Sequence, residues 1–368
     1  MKLTIGQEEF IKGLQAVQNV VSTRTTLPIL SNVLLNAVGD RLTLTATDLD
    51  VTISKTVEAK VEIDGSFTMP VKKLLSIARE VGGSQIEMDV SKNQCSIKSG
   101  SSAYRVNGLS AEEFPPNPNF SGQTTIQMPQ DTVKTMLRRT SFAVSTDENR
   151  YVLNGLYLSF KENKLTMVAT DGRRLALAEE DVELKDDNPL EVIVPTKAIQ
   201  ELSRSLGDKG DVEIQITENQ VSFGLKENDG TGSLIVSKLV EGAYPNYKQV
   251  IPAESKHRVT LDKEELFHAL RRAEIMTSEK ANSVKLTFSE NSLTFTANSP
   301  EVGESRETMA IKYEGEETSI AFNPQFFIDP LKALEEDEVH FEFTDQLSPG
   351  VVKVNHPFLY VIMPMRTS

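Results

Sequence analysis

Apolar residues along this chain alternate with polar ones, then recur every three or four positions, then alternate again, and this succession occurs three times. Leu3 and Ile5 stand two apart, as on a half-buried strand; Phe10, Leu14, Val17 and Val20 follow at the spacing of a buried helix face. A shift of 123 residues gives Ile126, Met128, Val133, Leu137, Thr140 and Ala143. A further 133 gives Val259, Leu261, Leu266, Leu270, Ala273 and Met276. Later segments repeat in the same order. RLTLTATD, KLTMVATD and SLTFTANS set Leu42, Leu165 and Leu293 at the heads of alternating strands. FTMPVKKLL, VIVPTKAIQEL and IAFNPQFFI run from strand into helix, with Pro70, Pro195 and Asn323 aligned. QIEMDVSKNQ, DVEIQITENQ and EVHFEFTDQ alternate again and end at Asn93, Asn219 and Asp345, residues suited to turns.

Each third therefore predicts an α+β domain with two helices on antiparallel sheets. The period is too long for a solenoid. Boundaries fall near residues 122 and 252, after FPPNPNFSG and YPNYKQVIP, and give three tandem homologous domains, 1–122, 123–252 and 253–368.

With 39% hydrophobic and 25% charged residues, the chain can bury real cores. No apolar run reaches the ~18 residues of a membrane helix, and MKLTIGQEEF lacks a signal-peptide core. A cytoplasmic protein with no membrane partner is expected. The single cysteine, Cys95, excludes an internal disulfide and a cysteine zinc site, and His257, His268, His340 and His356 are scattered. No metal and no cofactor are expected, and Cys95 reads as a structural residue of an alternating strand.

The net charge of -14 argues against nucleic acid until the charges are placed. Six helical segments are expected at 7–22, 70–81, 131–144, 196–206, 262–275 and 324–336. Together they carry +1, which leaves -15 for the strands and loops. Such segregation can present one positive face that binds phosphates without reading sequence. Catalytic signatures are missing: no Walker loop, GxGxxG, GxSxG or HExxH occurs. Asp48 and Asp171, each after an Ala-Thr pair, are the tempting carboxylates of a hydrolase. They hold equivalent repeat positions, the third copy has Ser299, and a turn or cap role fits them better. Arg173-Arg174 reads as a solvated turn, with an anion site as the alternative.

TLPIL at 26–30, TATDLD at 45–50, NRYVLNG at 149–155, ATDGRRLA at 169–176, LVEGAYPNY at 239–247 and VIMPMR at 361–366, in this order within a threefold repeat, resemble the bacterial sliding clamps, the beta subunits of DNA polymerase III. The resemblance covers the whole chain. It implies a head-to-tail homodimer closed into a ring of six domains, with helices lining the hole. It implies a non-catalytic processivity factor that encircles double-stranded DNA without sequence preference. An ATP-driven clamp loader opens and closes such a ring. The partners implied are the polymerase III catalytic subunit, the loader complex, and other polymerases and repair factors carrying clamp-binding peptides.

The resemblance also carries residues. Arg24 matches a DNA-contacting position, Lys197 and Arg204 lie on a helix expected to face the hole, and Lys12, Lys73, Arg79, Lys134 and Arg138 are expected to act alike. The peptide pocket between the second and third domains draws on Leu153, Thr170, Gly172, Arg173, Arg174 and Leu175. Pro245, Val250 and Leu347 join it, as do Val361, Ile362, Met363, Pro364, Met365 and Arg366; Gln249 stands where some relatives carry Arg. At the dimer contact, Tyr104 and Val106 on an edge strand of domain one are expected to meet Ile275 and Met276 at a helix end of domain three.

Overall fold

The computed structural model describes residues 1–21, 27–116, 124–184, 189–226, 230–278 and 282–366. The first third contains β1 (Lys2–Gly6), α1 (Gln7–Gln18), β2 (Asn32–Val38), β3 (Arg41–Thr47), β4 (Val51–Glu58), β5 (Lys60–Ile63), β6 (Gly65–Pro70), α2 (Val71–Glu80), β7 (Gln85–Ser91), β8 (Gln94–Ser99) and β9 (Ser102–Asn107). The second contains β10 (Thr124–Pro129), α3 (Gln130–Thr140), β11 (Gly155–Lys161), β12 (Lys164–Thr170), β13 (Arg174–Asp181), β14 (Leu190–Pro195), α4 (Thr196–Ser205), β15 (Asp211–Ile216), β16 (Gln220–Lys226) and β17 (Gly232–Lys238). The third contains β18 (His257–Asp262), α5 (Lys263–Glu274), β19 (Val284–Ser289), β20 (Ser292–Ser299), β21 (Gly303–Ala310), β22 (Thr318–Phe322), α6 (Pro324–Ala333), β23 (Glu338–Phe343), β24 (Gly350–Lys353) and β25 (Phe358–Ile362).

Apart from the short β5, the element order is the same in all three. The helices start within one residue of the positions expected from periodicity, but α1, α3 and α6 stop three or four residues earlier. Val20 and Ala143 keep the apolar spacing going because they are buried from a turn and a 3-10 turn that follow those helices.

The chain separates into two compact units, and they cut across the second third. One combines Met1–Lys134 with Lys197–Leu239, the other Thr135–Thr196 with Val240–Ser368. The first unit holds a five-stranded sheet, β5-β1-β7-β8-β9, and an eight-stranded sheet, β10-β15-β16-β17-β4-β3-β2-β6. The second holds an eight-stranded sheet, β14-β11-β12-β13-β25-β24-β23-β18, and a four-stranded one, β21-β20-β19-β22. Each eight-stranded sheet is half from one third and half from the next. The halves join antiparallel at β17 and β4, where Ile235 faces Ile53, and at β25 and β13, where Val361 faces Leu175. Such joining satisfies backbone groups that a sheet edge leaves unpaired. The repeat equivalents of these joining strands, β9 and β21, are both sheet edges.

The helices pack on these sheets in the manner their apolar stripes dictate. Phe10, Leu14 and Val17 of α1 are buried against α2, β3 and β4, and Leu266, Leu270 and Ala273 of α5 are buried against α6 and β20. α6 begins with Pro324 behind an Asn323 side chain that accepts from the Gln325 N–H at 3.0 Å. Inside it, Pro330 offers no N–H to the Phe326 carbonyl. The hydroxyl of the buried Tyr360 donates to that carbonyl instead, at 2.8 Å. Burial raises the Tyr360 phenol well above its ordinary range, so it stays a donor. Tyr360→Phe is expected to cost about 1–3 kcal/mol by leaving a buried acceptor short of a donor, read as a lower unfolding midpoint.

Cys95 is fully buried on β8, and burial pushes its thiol up to about 11. Native protein at about pH 8 should resist alkylation at Cys95, whereas unfolded protein should react, as followed by mass spectrometry.

Candidate functional site

The second unit contains an apolar site built on a tight turn. β12 ends at Thr170 and β13 begins at Arg174. Asp171 Oδ1 accepts from the N–H groups of Arg173 (2.9 Å) and Arg174 (3.1 Å). The Thr170 hydroxyl donates to the Arg174 carbonyl at 2.6 Å and accepts from the Gly172 N–H at 3.1 Å. Gly172 has φ +84°, and a Cβ there would lie 2.6 Å from Nη1 of Arg150. The positive φ favours glycine here, and a side chain would also have to displace the flexible end of Arg150.

β25 runs beside this turn. Arg174 faces Ile362, and beyond the strand the Met363 N–H donates to the Arg173 carbonyl at 2.9 Å. The Met365 N–H reaches the Ala321 carbonyl at 2.7 Å. Leu175 and Val361 form a buried floor with Tyr157, Val168 and Ile193; Val152, Leu177, Tyr244 and Tyr247 pack partly buried against it. Tyr157 stacks on Tyr244 at 4.9 Å between centroids. Met363 and Met365 are 39% and 38% exposed, so adaptable apolar side chains sit open to solvent beside an apolar floor.

Thr170, Gly172, Arg173, Arg174, Leu175, Val361, Ile362 and Met363 are thus drawn together by register and hydrogen bonds. Leu153 is buried at the end of the 3-10 stretch Glu148–Leu153. Pro245 lies between the aromatic Tyr244 and Tyr247, Val250 ends the 3-10 turn Tyr247–Val250, and Leu347 follows the Asp345 turn. Val250 and Leu347 are exposed, and Pro364 and Arg366 continue past β25.

Arg174 corrects the expectation of a solvated turn. Its side chain is only 11% exposed. Nε donates to Asp171 (3.0 Å), Nη1 to Asp329 on α6 (2.5 Å) and Nη2 to the Phe142 carbonyl (2.8 Å). The guanidinium also lies 4.7 Å from the Phe326 ring centroid. Burial opposes its charge, but Tyr360, Asp329 and Asp171 outweigh burial and hold the group above its usual range.

The first unit repeats the turn but not the floor. Asp48 Oδ1 accepts from the N–H groups of Asp50 (3.0 Å) and Val51 (2.8 Å), and Leu49 takes φ +80° where the second copy has glycine. Ser237 faces Val51 where Ile362 faces Arg174, and Lys238 pairs with Asp50 at 3.0 Å across that position. Asp48 and Asp171 are turn-forming carboxylates. Among the described residues no three His, Cys, Asp or Glu side chains are placed to hold a metal.

The helical cations differ in their partners. Lys73 and Arg79 on α2 are exposed, with no carboxylate in ion-pair reach among the described residues. Lys134 pairs with Asp208 (2.7 Å), Arg138 with Glu335 (2.5 Å) and Lys12 with Glu9 (2.7 Å). Lys197 pairs with Asp48, and Arg204 with Glu201. Arg139, one of the cations in the helical charge sum, is buried against Glu336 at 2.6 Å and is no surface charge. Arg24 lies outside the described residues. Tyr104 and Val106 stand on the edge strand β9, and the 68%-exposed Ile275, followed by Met276, caps the C-terminus of α5.

Sequence profiles described as the N-terminal, central and C-terminal domains of the DNA polymerase III beta subunit match residues 1–118, 127–246 and 248–366. The chain belongs to the bacterial sliding clamp family. It is 36% identical to the beta sliding clamp of Chlamydia pneumoniae over 367 residues, covering 100% of this chain and 99% of that one. The Bacillus subtilis beta sliding clamp is 33% identical over 382 residues, with both chains fully covered. The crystal structure of a DNA polymerase sliding clamp from Bacillus subtilis superposes with a TM-score of 0.94 at 32% identity, over 100% of both chains. A sliding clamp from Pseudomonas aeruginosa bound to griselimycin gives 0.94 at 34%, also over 100% of both. The three tandem domains are clamp domains, and the chain is a non-catalytic processivity factor of DNA replication.

Several residues of the site were not expected, among them Tyr157, Val168 and Ile193 of the floor. Arg150 and the two tyrosines, Tyr244 and Tyr247, lie within NRYVLNG and GAYPNY, so the signal was present. Asp329 stands 155 positions from Arg174, and nothing local marks it.

Burial raises the Asp48 carboxyl, but the Lys197 hydrogen bond and the N–H groups of Val51 and Asp50 outweigh that and hold it below its ordinary value. A lowered folded value contributes stability above the unfolded value, about 3.9, and loses it as the pH falls through the folded value. Asp48→Asn should therefore be less stable than the wild type near neutral pH, with the gap narrowing in denaturant titrations as acidification carries the pH from about 3.9 down through the folded value.

Proposed function

We propose that two copies of this chain close head to tail into a ring that encircles duplex DNA, and that each copy tethers replication proteins through the apolar site beside Arg174. The observation that carries the ring is the pairing pattern. β17 joins β4 and β25 joins β13, while the equivalent strands β9 and β21 are left as edges. Pairing β9 of one copy with β21 of the other repeats the same junction twice and closes, as a heterologous contact must to avoid filaments. Tyr104 and Val106 then meet Ile275 and Met276. Domains 1–122, 123–252 and 253–368 become six units of one ring, with Arg24, Lys73, Arg79, Lys134, Arg138, Lys197 and Arg204 toward the DNA.

A ring is held by topology, so its phosphate contacts can be few and sequence-blind. An ATP-driven loader opens it, in the cytoplasm. In the apolar site, a few buried apolar anchors work against the entropic cost of association, so binding is modest and suited to exchange. The polymerase III catalytic subunit, the loader and repair factors then share one site by turnover.

Ile275→Asp should shift dimer to monomer at micromolar concentration in sedimentation velocity; an unchanged dimer removes the proposed contact. Loaded wild type should stay on closed circular DNA and leave once the circle is cut; retention on the cut DNA contradicts encirclement. Removing residues 363–368 should weaken binding of an apolar clamp-binding peptide at least tenfold by anisotropy, with the dimer intact.

A further inference from the structure

Two repeat-equivalent helices of the first unit differ in how their cations are held. On α2, Lys72, Lys73 and Arg79 are exposed and have no carboxylate partner among the described residues. The α2 position equivalent to Glu201 is Ser76, whose hydroxyl is turned to the Lys72 carbonyl at 2.9 Å. On α4, each cation has a carboxylate of its own, set deeper than itself. Lys197 is 41% exposed on an Asp48 that is 17% exposed, and Arg204 is 56% exposed on a Glu201 that is 6% exposed. Lys197 also donates to the Val20 carbonyl at 3.2 Å. Asp48 is fixed by the N–H groups of Asp50 and Val51, and Glu201 by its place on the buried face of α4. These acids are anchored, whereas the cations reach them on long flexible stems.

We propose that Asp48 and Glu201 are built-in counterions. They occupy Lys197 and Arg204, so that α4 grips DNA only when a phosphate displaces a carboxylate, while α2 offers its charges freely. This rests on the reading of these helices as DNA-facing. A phosphate contact releases DNA counterions, but a cation still held by its own carboxylate neutralises no phosphate and adds nothing to the salt dependence. Anchored acids thus weaken the grip of a ring that must slide, without removing its positive residues. The acids are also positioning residues, since they hold both side chains along one stripe of the helix.

The test is binding of a short fluorescent duplex to the full-length protein, by anisotropy between about 50 and 200 mM salt. Asp48→Asn keeps an oxygen for both turn N–H groups, and Glu201→Gln keeps an acceptor for Arg204; circular dichroism checks the fold. The double variant should bind severalfold more tightly at the low-salt end. Its slope of log affinity against log salt should be steeper by about 0.9 for each cation released to DNA. Adding Lys197→Ala and Arg204→Ala should return the slope to the wild-type value, which a merely structural role for the acids would not do. An unchanged or shallower slope in the double variant, with Lys73→Ala and Arg79→Ala still lowering it, overturns the counterion role and leaves the DNA-facing helices standing. If none of the alanine variants changes the slope, the DNA-facing reading fails and the counterion role falls with it.

Discussion

An open sheet edge is the constraint from which this architecture follows. Each third folds into two small antiparallel sheets, and each sheet ends in backbone N–H and C=O groups without partners. The last strand of one third covers the edge of the third before it, as β17 covers β4 and β25 covers β13. Antiparallel ladders of this kind satisfy the backbone continuously. They also let the apolar faces merge across the repeat boundary, which is why the compact units do not coincide with the repeats.

On this common backbone, side chains decide what each junction does. Both junctions carry the same Thr-Asp turn, with the Asp side chain accepting from two successive N–H groups. At the first, the helix supplies the cation, Lys197, and the turn the acid, Asp48. At the second, the turn supplies the cation, Arg174, and the helix the acid, Asp329. The reversal leaves a planar guanidinium between aromatic rings and carboxylates, geometry a lysine does not reproduce. It fixes the turn beside β25 next to the apolar cluster of Leu175 and Val361, where the first junction has the polar Asp50–Lys238 pair.

Local patterning made the elements legible. Period-2 and period-3.6 stretches depend on near neighbours, so the six helices and the repeat could be read from residues such as Leu3, Phe10 and Leu14. Strand partnership between thirds is not local, and no periodicity announces that Ile235 faces Ile53. The turn roles of Asp48 and Asp171 followed from their equivalent repeat positions, but the long-range pairs Lys197–Asp48 and Arg174–Asp329 did not. Charge counting failed at Arg139 for the same reason: a formal charge says nothing of whether Glu336 is waiting for it. Of the floor, Leu175 and Val361 lie within the motifs that carry the family resemblance, whereas Tyr157, Val168 and Ile193 lie outside them; Arg150 and the tyrosines around Pro245 act through contacts that no local spacing marks.

The handing over of strands has a bearing on how the gene can be divided. A fragment cut at a repeat boundary severs an eight-stranded sheet through its middle and bares an unpaired strand edge on each product. Such edges are templates for aggregation. The sequence repeat and the compact unit are out of phase by half a repeat, so a single third is a period of the sequence without being a compact unit of the structure.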